Sequence, residues 1–373
     1  MYKVTTKDYE QLLRSCYSVN QPIFISGPPG VGKSAICRTV FKRVASERNK
    51  IFVEWSDLTL DERKKCISIP EKYFVLMDLR ASQLDTTSLV GIPNMTKTDL
   101  LENIPYSWVI YFTTIGADGV IFADELNLAP QIIQSITYSM IHDRVISDRR
   151  LAKDVYVFAA GNRTQDKAHT FDMPLPLRDR FAEAEMEIDV EHWIKWASNM
   201  GINPHLISFI NWKPANLYNA DKVKAEKPAT PRGVERASRL LADYDIQDDK
   251  AHMLVSISCG ESFATEFQAY CKVHQQLDWN HILSNPSCVG SMTLDKQYAV
   301  SAGIADQFKR STGDIGLQTK LLDVADQLRE DFAVFSYRMV SSANRDAFKA
   351  TMVKLNRTKL FATKYAKYLL DNV

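Results

Sequence analysis

The amino-acid sequence predicts an α/β fold, a parallel sheet covered by helices on both faces, followed by an almost wholly helical remainder. Three observations predict it. Near-continuous apolar runs alternate with helical patterns over the first half of the chain: "PIFISG" (22–27), "IFVEW" (51–55), "YFVLMDL" (73–79), "GVIFAD" (119–124) and "VYVFAAG" (155–161). Strands apolar on both sides belong to sheets buried on both faces. After "EAEMEIDV" (183–190) the apolar spacing becomes helical almost throughout. At 373 residues, finally, the chain is too long for one typical domain. We expect an α/β core over 1–195, a helical domain over 196–283 and, after the break "SNPSCVGSM" (284–292), a helical region over 284–373.

In order, "TTKDYEQLLRSCYSV" reads as a helix with Thr6 as N-cap and Tyr9, Leu12, Leu13, Cys16 and Tyr17 on one face. A second helix is expected from Lys33 to about Arg48, and a third in "APQIIQSITYSMIHDR". "NWKPANLYNADKVKAEKPATP" reads as a polar loop inside the helical part. Between Arg345 and Lys367 there are seven Lys or Arg against one acid, Asp346, with Phe348, Met352 and Leu355 at helical spacing. That pattern is an amphipathic basic helix, either a solvated face or a contact for an acidic partner or nucleic acid.

Composition narrows the function. Hydrophobic residues at 45% and charged residues at 24% supply a real core and exclude a disordered chain. A formal charge of +1 excludes a chain-wide basic footprint for nucleic acid. The six cysteines lack any CxxC or metal-ligand spacing, which fits reduced thiols and a cytoplasmic setting. "MYKVTTKDYEQLL" carries charges where a signal peptide needs an apolar run, and no apolar stretch reaches the roughly 18 residues of a membrane span. No membrane contact is expected.

"GPPGVGKS" (27–34) matches G-x-x-x-x-G-K-[ST] between an apolar strand and a helix, the context that phosphate binding requires. Glycines let the loop turn its N–H groups inward, and the helix adds its positive end. The cradle for ATP is expected from Gly27, Pro28, Pro29, Gly30, Val31, Gly32, Lys33, Ser34 and Ala35. Lys33 would reach the β- and γ-phosphates and Ser34 would ligate Mg²⁺. "VIFADE" ends an apolar strand in two carboxylates. Asp124 would hold Mg²⁺ beside Ser34, and Glu125 would polarise the attacking water. Asn127 follows closely.

With these residues in view, the chain resembles the AAA+ ATPases, and among them the MoxR-type branch. "MDLRASQLDTTSLVGIP" (77–93), "GVIFADELNLAPQIIQSITYSMIHDRVI" (119–146), "FAAGNRTQDKAHTFDMPLPLRDRF" (158–181) and "ATPRGVERASRLL" (229–241) carry the resemblance over roughly residues 20–245. It implies a P-loop AAA+ core followed by an α-helical lid and a helical C-terminal region. Asn162 then matches sensor 1, which positions the lytic water. Arg180 matches the arginine finger that reaches a neighbouring subunit's site, and Arg178 is a second candidate whose alternative is a surface ion pair. Arg232 matches sensor 2, with Pro231 suited to the first turn of its helix. "SQLDTTSLVG" resembles the insertion into helix 2, and "RVISDRRLAKDVYVF" the hairpin before sensor 1. The implied protein is a homo-oligomeric ring, most simply a hexamer, that hydrolyses ATP to remodel or mature a client. The implied partner is a von Willebrand factor A-domain protein. The competing reading is a nucleic-acid-handling AAA+ motor or a phage- or defence-related ATPase, favoured by the basic "SDRRLAK".

Overall fold

The computed structural model describes residues 1–96, 102–163, 171, 173–220, 227–246, 248–311, 313–343 and 345–355. The chain forms two compact units, Met1–Ile188 and Asp189–Val373.

The first unit contains the strands β1 (Tyr2–Val4), β2 (Ile23–Ser26), β3 (Ile51–Glu54), β4 (Tyr73–Arg80), β5 (Ile92–Pro93) and β6 (Asn103–Ile104). It continues with β7 (Asp118–Asp124), β8 (Val145–Ile146), β9 (Arg149–Arg150), β10 (Asp154–Gly161) and β11 (Ala182–Met186). Its helices are α1 (Thr6–Ser18), α2 (Lys33–Glu47), α3 (Leu60–Ser68), α4 (Thr86–Val90), α5 (Ser107–Thr113), α6 (Gln131–His142) and α7 (Leu175–Arg178). Seven strands make one sheet in the order β1-β11-β2-β10-β7-β4-β3. Every neighbouring pair in it is parallel.

The period of two in a strand sends alternate residues to opposite faces. Phe74, Leu76, Val120, Phe122, Tyr156 and Phe158 pack with Leu13, Val40 and Phe41 of α1 and α2. Val75, Leu79, Ile121, Ala123, Val155 and Val157 pack with Trp108, Phe112, Ile133 and Met140 of α5 and α6. Each large side chain so buried contributes about 1.5–3 kcal/mol of transfer free energy. Both faces are thus covered, and the expected fold class is borne out.

Two strands of the sheet were not expected. β1 has only three residues, with Tyr2 80% exposed at the sheet edge, so it carries no apolar run. β11 reads Ala-Glu-Ala-Glu-Met and buries only Ala184 and Met186, the alternation of a half-covered strand. The first helix is capped one residue earlier than expected, by Thr5 in place of Thr6. The Thr5 hydroxyl accepts the Asp8 N–H at 3.2 Å while the Asp8 carboxylate accepts the Thr5 N–H at 3.1 Å. Only Thr5 has a carboxylate three residues on.

The segment "SQLDTTSLVG" holds α4 and leads into a small antiparallel ribbon of β5 with β6, and a second ribbon, β8 with β9, lies within "RVISDRRLAKDVYVF". Ile92, Met95 and Ile104 of the first are exposed, as are Arg149 and Arg150 of the second.

Among its described residues the second unit is helical: α8 (Val190–Asn199), α9 (Pro204–Trp212), α10 (Pro231–Leu240), α11 (Asp249–Cys259) and α12 (Glu261–Gln275). There follow α13 (Trp279–Ser284), α14 (Leu294–Arg310), α15 (Ile315–Gln327), α16 (Glu330–Ala343) and α17 (Arg345–Lys354). α14 packs on α9, α12 and α16. Helices from both sides of residue 284 thus pack together among the described residues. Of the basic helix expected over 345–367, α17 buries Phe348 and Met352; residues 356–373 lie outside the described ones.

One polar cluster sits inside this unit. His205 is 3% exposed, and its ring meets that of His274 edge-on at 4.6 Å between centroids. Neither His205 Nδ1, nor either ring nitrogen of His274, nor Trp279 Nε1 has a hydrogen-bond partner among the described residues. Burial, with His274 and Arg310 adding to it, holds the His205 imidazole well below its usual range.

No cysteine is disulfide-bonded, and all but Cys288 are buried. Among the described residues no helix is long and apolar enough to cross a membrane.

Candidate nucleotide site

Parallel neighbours end at a common edge, and the register shows which residues meet there. Gly161 lies opposite Ser26, Ala159 opposite Ala123, and Arg80 opposite Asp124. The loop after β2, the carboxylates ending β7 and the residue after β10 therefore share the carboxyl edge, where parallel sheets place their ligand sites.

The loop 27–32 turns through Gly30 (φ 76°) and Gly32 (φ 103°), left-handed conformations that side chains resist. Gly32 is the N-cap of α2, and no side chain caps that end. The first-turn amides are thus left for an acceptor to reach. Lys33 is 8% exposed and curls back over the loop, its Nζ donating to the Gly27 carbonyl at 2.8 Å and the Pro28 carbonyl at 3.2 Å. An ammonium held at the mouth of uncapped amides suits a phosphate chain, whose oxygens would take over the role of those two carbonyls. Pro28 is buried, Pro29 and Ala35 are exposed, and Val31 packs against the core on the α2 side of the sheet.

Ser34 Oγ donates to Asp124 Oδ2 at 2.9 Å, joining positions 90 residues apart. A hydroxyl and a carboxylate in contact at the foot of the cradle are hard oxygen donors of the kind Mg²⁺ takes. The donor set fits a phosphate-bound Mg²⁺. Among the described residues no group of three His, Cys, Asp or Glu could hold a metal by protein ligands alone. Glu125 follows in the left-handed region, φ 56° and ψ 32°, with its N–H donating to Asp124 Oδ1 at 2.9 Å. That conformation costs about 1–2 kcal/mol outside glycine. Ser82 Oγ donates to the Glu125 carboxylate.

Asn127 is 8% exposed and clasps the chain at Asn162. Its Nδ2 donates to the Asn162 carbonyl at 2.7 Å, and its Oδ1 accepts the Asn162 N–H at 3.1 Å. Gly161 must lack a side chain here, because a Cβ would lie 2.7 Å from both Asn127 Cγ and Phe24 Cζ.

A further ionic group sits beside the carboxylates. Arg38 of α2 bridges Glu54 at 2.7 Å and Asp78 at 2.9 Å. Burial raises the Asp78 carboxyl pKa and the neighbouring Asp124 charge raises it further, against the pull of Arg38. Sequence reasoning missed Ser82, Asp78 and Arg38. Ser82 lies in a stretch read only for resemblance, Asp78 in a run read as a strand and for resemblance, and no spacing marks Arg38.

The two finger candidates separate. Arg178 holds Glu183 with two bonds, Nε to Oε1 at 2.9 Å and Nη2 to Oε2 at 2.8 Å. Arg180 is exposed, and its guanidinium has no partner among the described residues. Arg232 is exposed in the first turn of α10, behind the Thr230 N-cap and with Pro231 at the first position.

No family model matches the chain, and no curated protein does. Solved structures with similar folds include NtrX from Brucella abortus in complex with ADP, at 14% identity and a TM-score of 0.37, with 84% of this chain and 67% of that one covered. The same protein in complex with ATP gives 13% and 0.38, covering 86% and 68%. The RuvB K64R mutant of Thermotoga maritima gives 16% and 0.30, covering 75% and 73%. At such low scores these likenesses carry no argument about function, which rests on the site.

Proposed function

We propose that this chain is a Mg²⁺-dependent ATP hydrolase of the AAA+ class, working as a homo-oligomeric ring. The observation that carries the reading is the Ser34–Asp124 bond at 2.9 Å, set between an uncapped helix end with its lysine and the Glu125 carboxylate. Lys33 and the first-turn amides of α2 grip the phosphates. Ser34 and Asp124 would hold Mg²⁺, which as a Lewis acid would neutralise charge on the phosphate oxygens. Glu125 draws a proton from the attacking water, and Asn162 orients that water. Arg180 of a neighbouring copy sets its planar charge against the transferring phosphoryl group, a role for which an exposed guanidinium with no partner among the described residues is suited. Arg232 serves as sensor 2 by resemblance alone. The lid role of 196–283, the MoxR-type assignment, the von Willebrand factor A-domain partner and the client rest on resemblance alone too, and the cytoplasmic setting rests on the cysteine pattern.

The test is turnover against protein concentration. ATP hydrolysis per chain should rise steeply as the protein is concentrated and ring particles form. Full activity from a monodisperse monomer would remove the shared site from the account.

A further inference from the structure

We infer that Asn127 is a positioning residue that locks the lytic glutamate's turn to the water-orienting Asn162 and to the segment carrying Arg180. The inference deepens the proposed ATPase reading and rests on it. Asn127 lies two residues beyond Glu125, and its amide exchanges two bonds, at 2.7 and 3.1 Å, with the carbonyl and N–H of Asn162. Both ends of a side-chain amide are thereby spent on one residue's backbone, as a strand neighbour would spend them. Its own carbonyl accepts the Phe171 N–H at 2.7 Å, three residues before Pro174, where the chain enters α7 and then reaches Arg178 and Arg180. One buried side chain and its backbone therefore fasten three parts of the site that are far apart in sequence. Gly161 leaves the space this arrangement needs.

A surface turn asparagine would bond locally or to water. This one is 8% exposed and bonds across 35 residues. Asn127 touches no reacting atom in this account. It fixes the position of Asn162 relative to Glu125, and a displacement of about 1 Å in such a pair can cost about a hundredfold in rate.

The test is a double-mutant cycle on the full chain. Asn127→Ala should lower kcat about ten- to a hundredfold while the Kd for a fluorescent ATP analogue stays within about twofold. Asn162→Ala should lower kcat as well. In the Asn162→Ala background, Asn127→Ala should cost little more, because the group it positions is gone. If Asn127→Ala does not fold, Asn127→Ser carries the same comparison. Equal fold-losses in both backgrounds, an unchanged kcat, or a loss confined to nucleotide affinity would each overturn the inference. Wild-type turnover that survives Lys33→Ala would instead overturn the ATPase reading, and this inference with it.

Discussion

Gly161→Ala tests the packing around the Asn162 clasp through a single methyl group. The added Cβ would sit 2.7 Å from Asn127 Cγ and 2.7 Å from Phe24 Cζ, well inside contact distance. Neither neighbour yields freely. Phe24 is 2% exposed in the core and Asn127 is held by both of its bonds to Asn162. Overpacking of this kind costs about 1–3 kcal/mol. If Asn127 swings aside, two hydrogen bonds worth about 1 kcal/mol each go with it. A total of about 3–5 kcal/mol follows, which for a unit of this size lowers Tm by about 6–20 °C. Thermal unfolding followed by circular dichroism measures it, and steady-state hydrolysis at a temperature where the variant stays folded measures the second effect. Hydrolysis should fall while nucleotide affinity holds. A Gly161→Ala protein with wild-type Tm and turnover would refute both the crowding and the need for the clasp.

Three other outcomes are expected. Lys33→Ala removes the ammonium over the loop carbonyls, so binding of a fluorescent ATP analogue should weaken at least about a hundredfold. Arg180→Ala should abolish turnover yet leave binding intact, and mixing it with Lys33→Ala protein should restore some activity; Arg178→Ala, whose partner is Glu183, should chiefly lower stability, by about 1 kcal/mol or less. The third concerns pH. Because the folded-state pKa of His205 lies well below the ordinary 6.5, the unfolded chain binds more protons, and stability is lost as pH falls below about 6.5. His274 faces it, with Asp306, Asp245 and Arg310 nearby. Chemical denaturation across pH 5–8 should show a loss of up to about 1.4 kcal/mol per pH unit on the acid side, flattened in His205→Gln.

The sequence made legible whatever was encoded by local pattern. β2, β4, β7 and β10 are continuous apolar runs because both faces of the sheet are covered, so their positions could be read directly. β11 could not be read in this way, since its alternating Glu and Ala half-bury it. Thr6 was expected as the cap, and Thr5 takes its place because the Asp8 carboxylate reaches it. The phosphate loop and Asp124–Glu125 were legible because their chemistry demands fixed spacing. Ser82, Asp78 and the clasp role of Asn127 were not, because each depends on a partner 35 to 43 residues away. Arg178 was the second finger candidate, with a surface ion pair as its alternative, and its pairing with Glu183 is that ion pair.

The most direct measurement is the paired binding and turnover of Glu125→Gln. The substitution keeps the size of the side chain and removes the carboxylate that receives the water's proton. The account predicts wild-type ATP affinity, hydrolysis slowed by about two to four orders of magnitude, and rings that retain unhydrolysed ATP. Hydrolysis at the wild-type rate would contradict it, because the water would then be activated by some group other than Glu125.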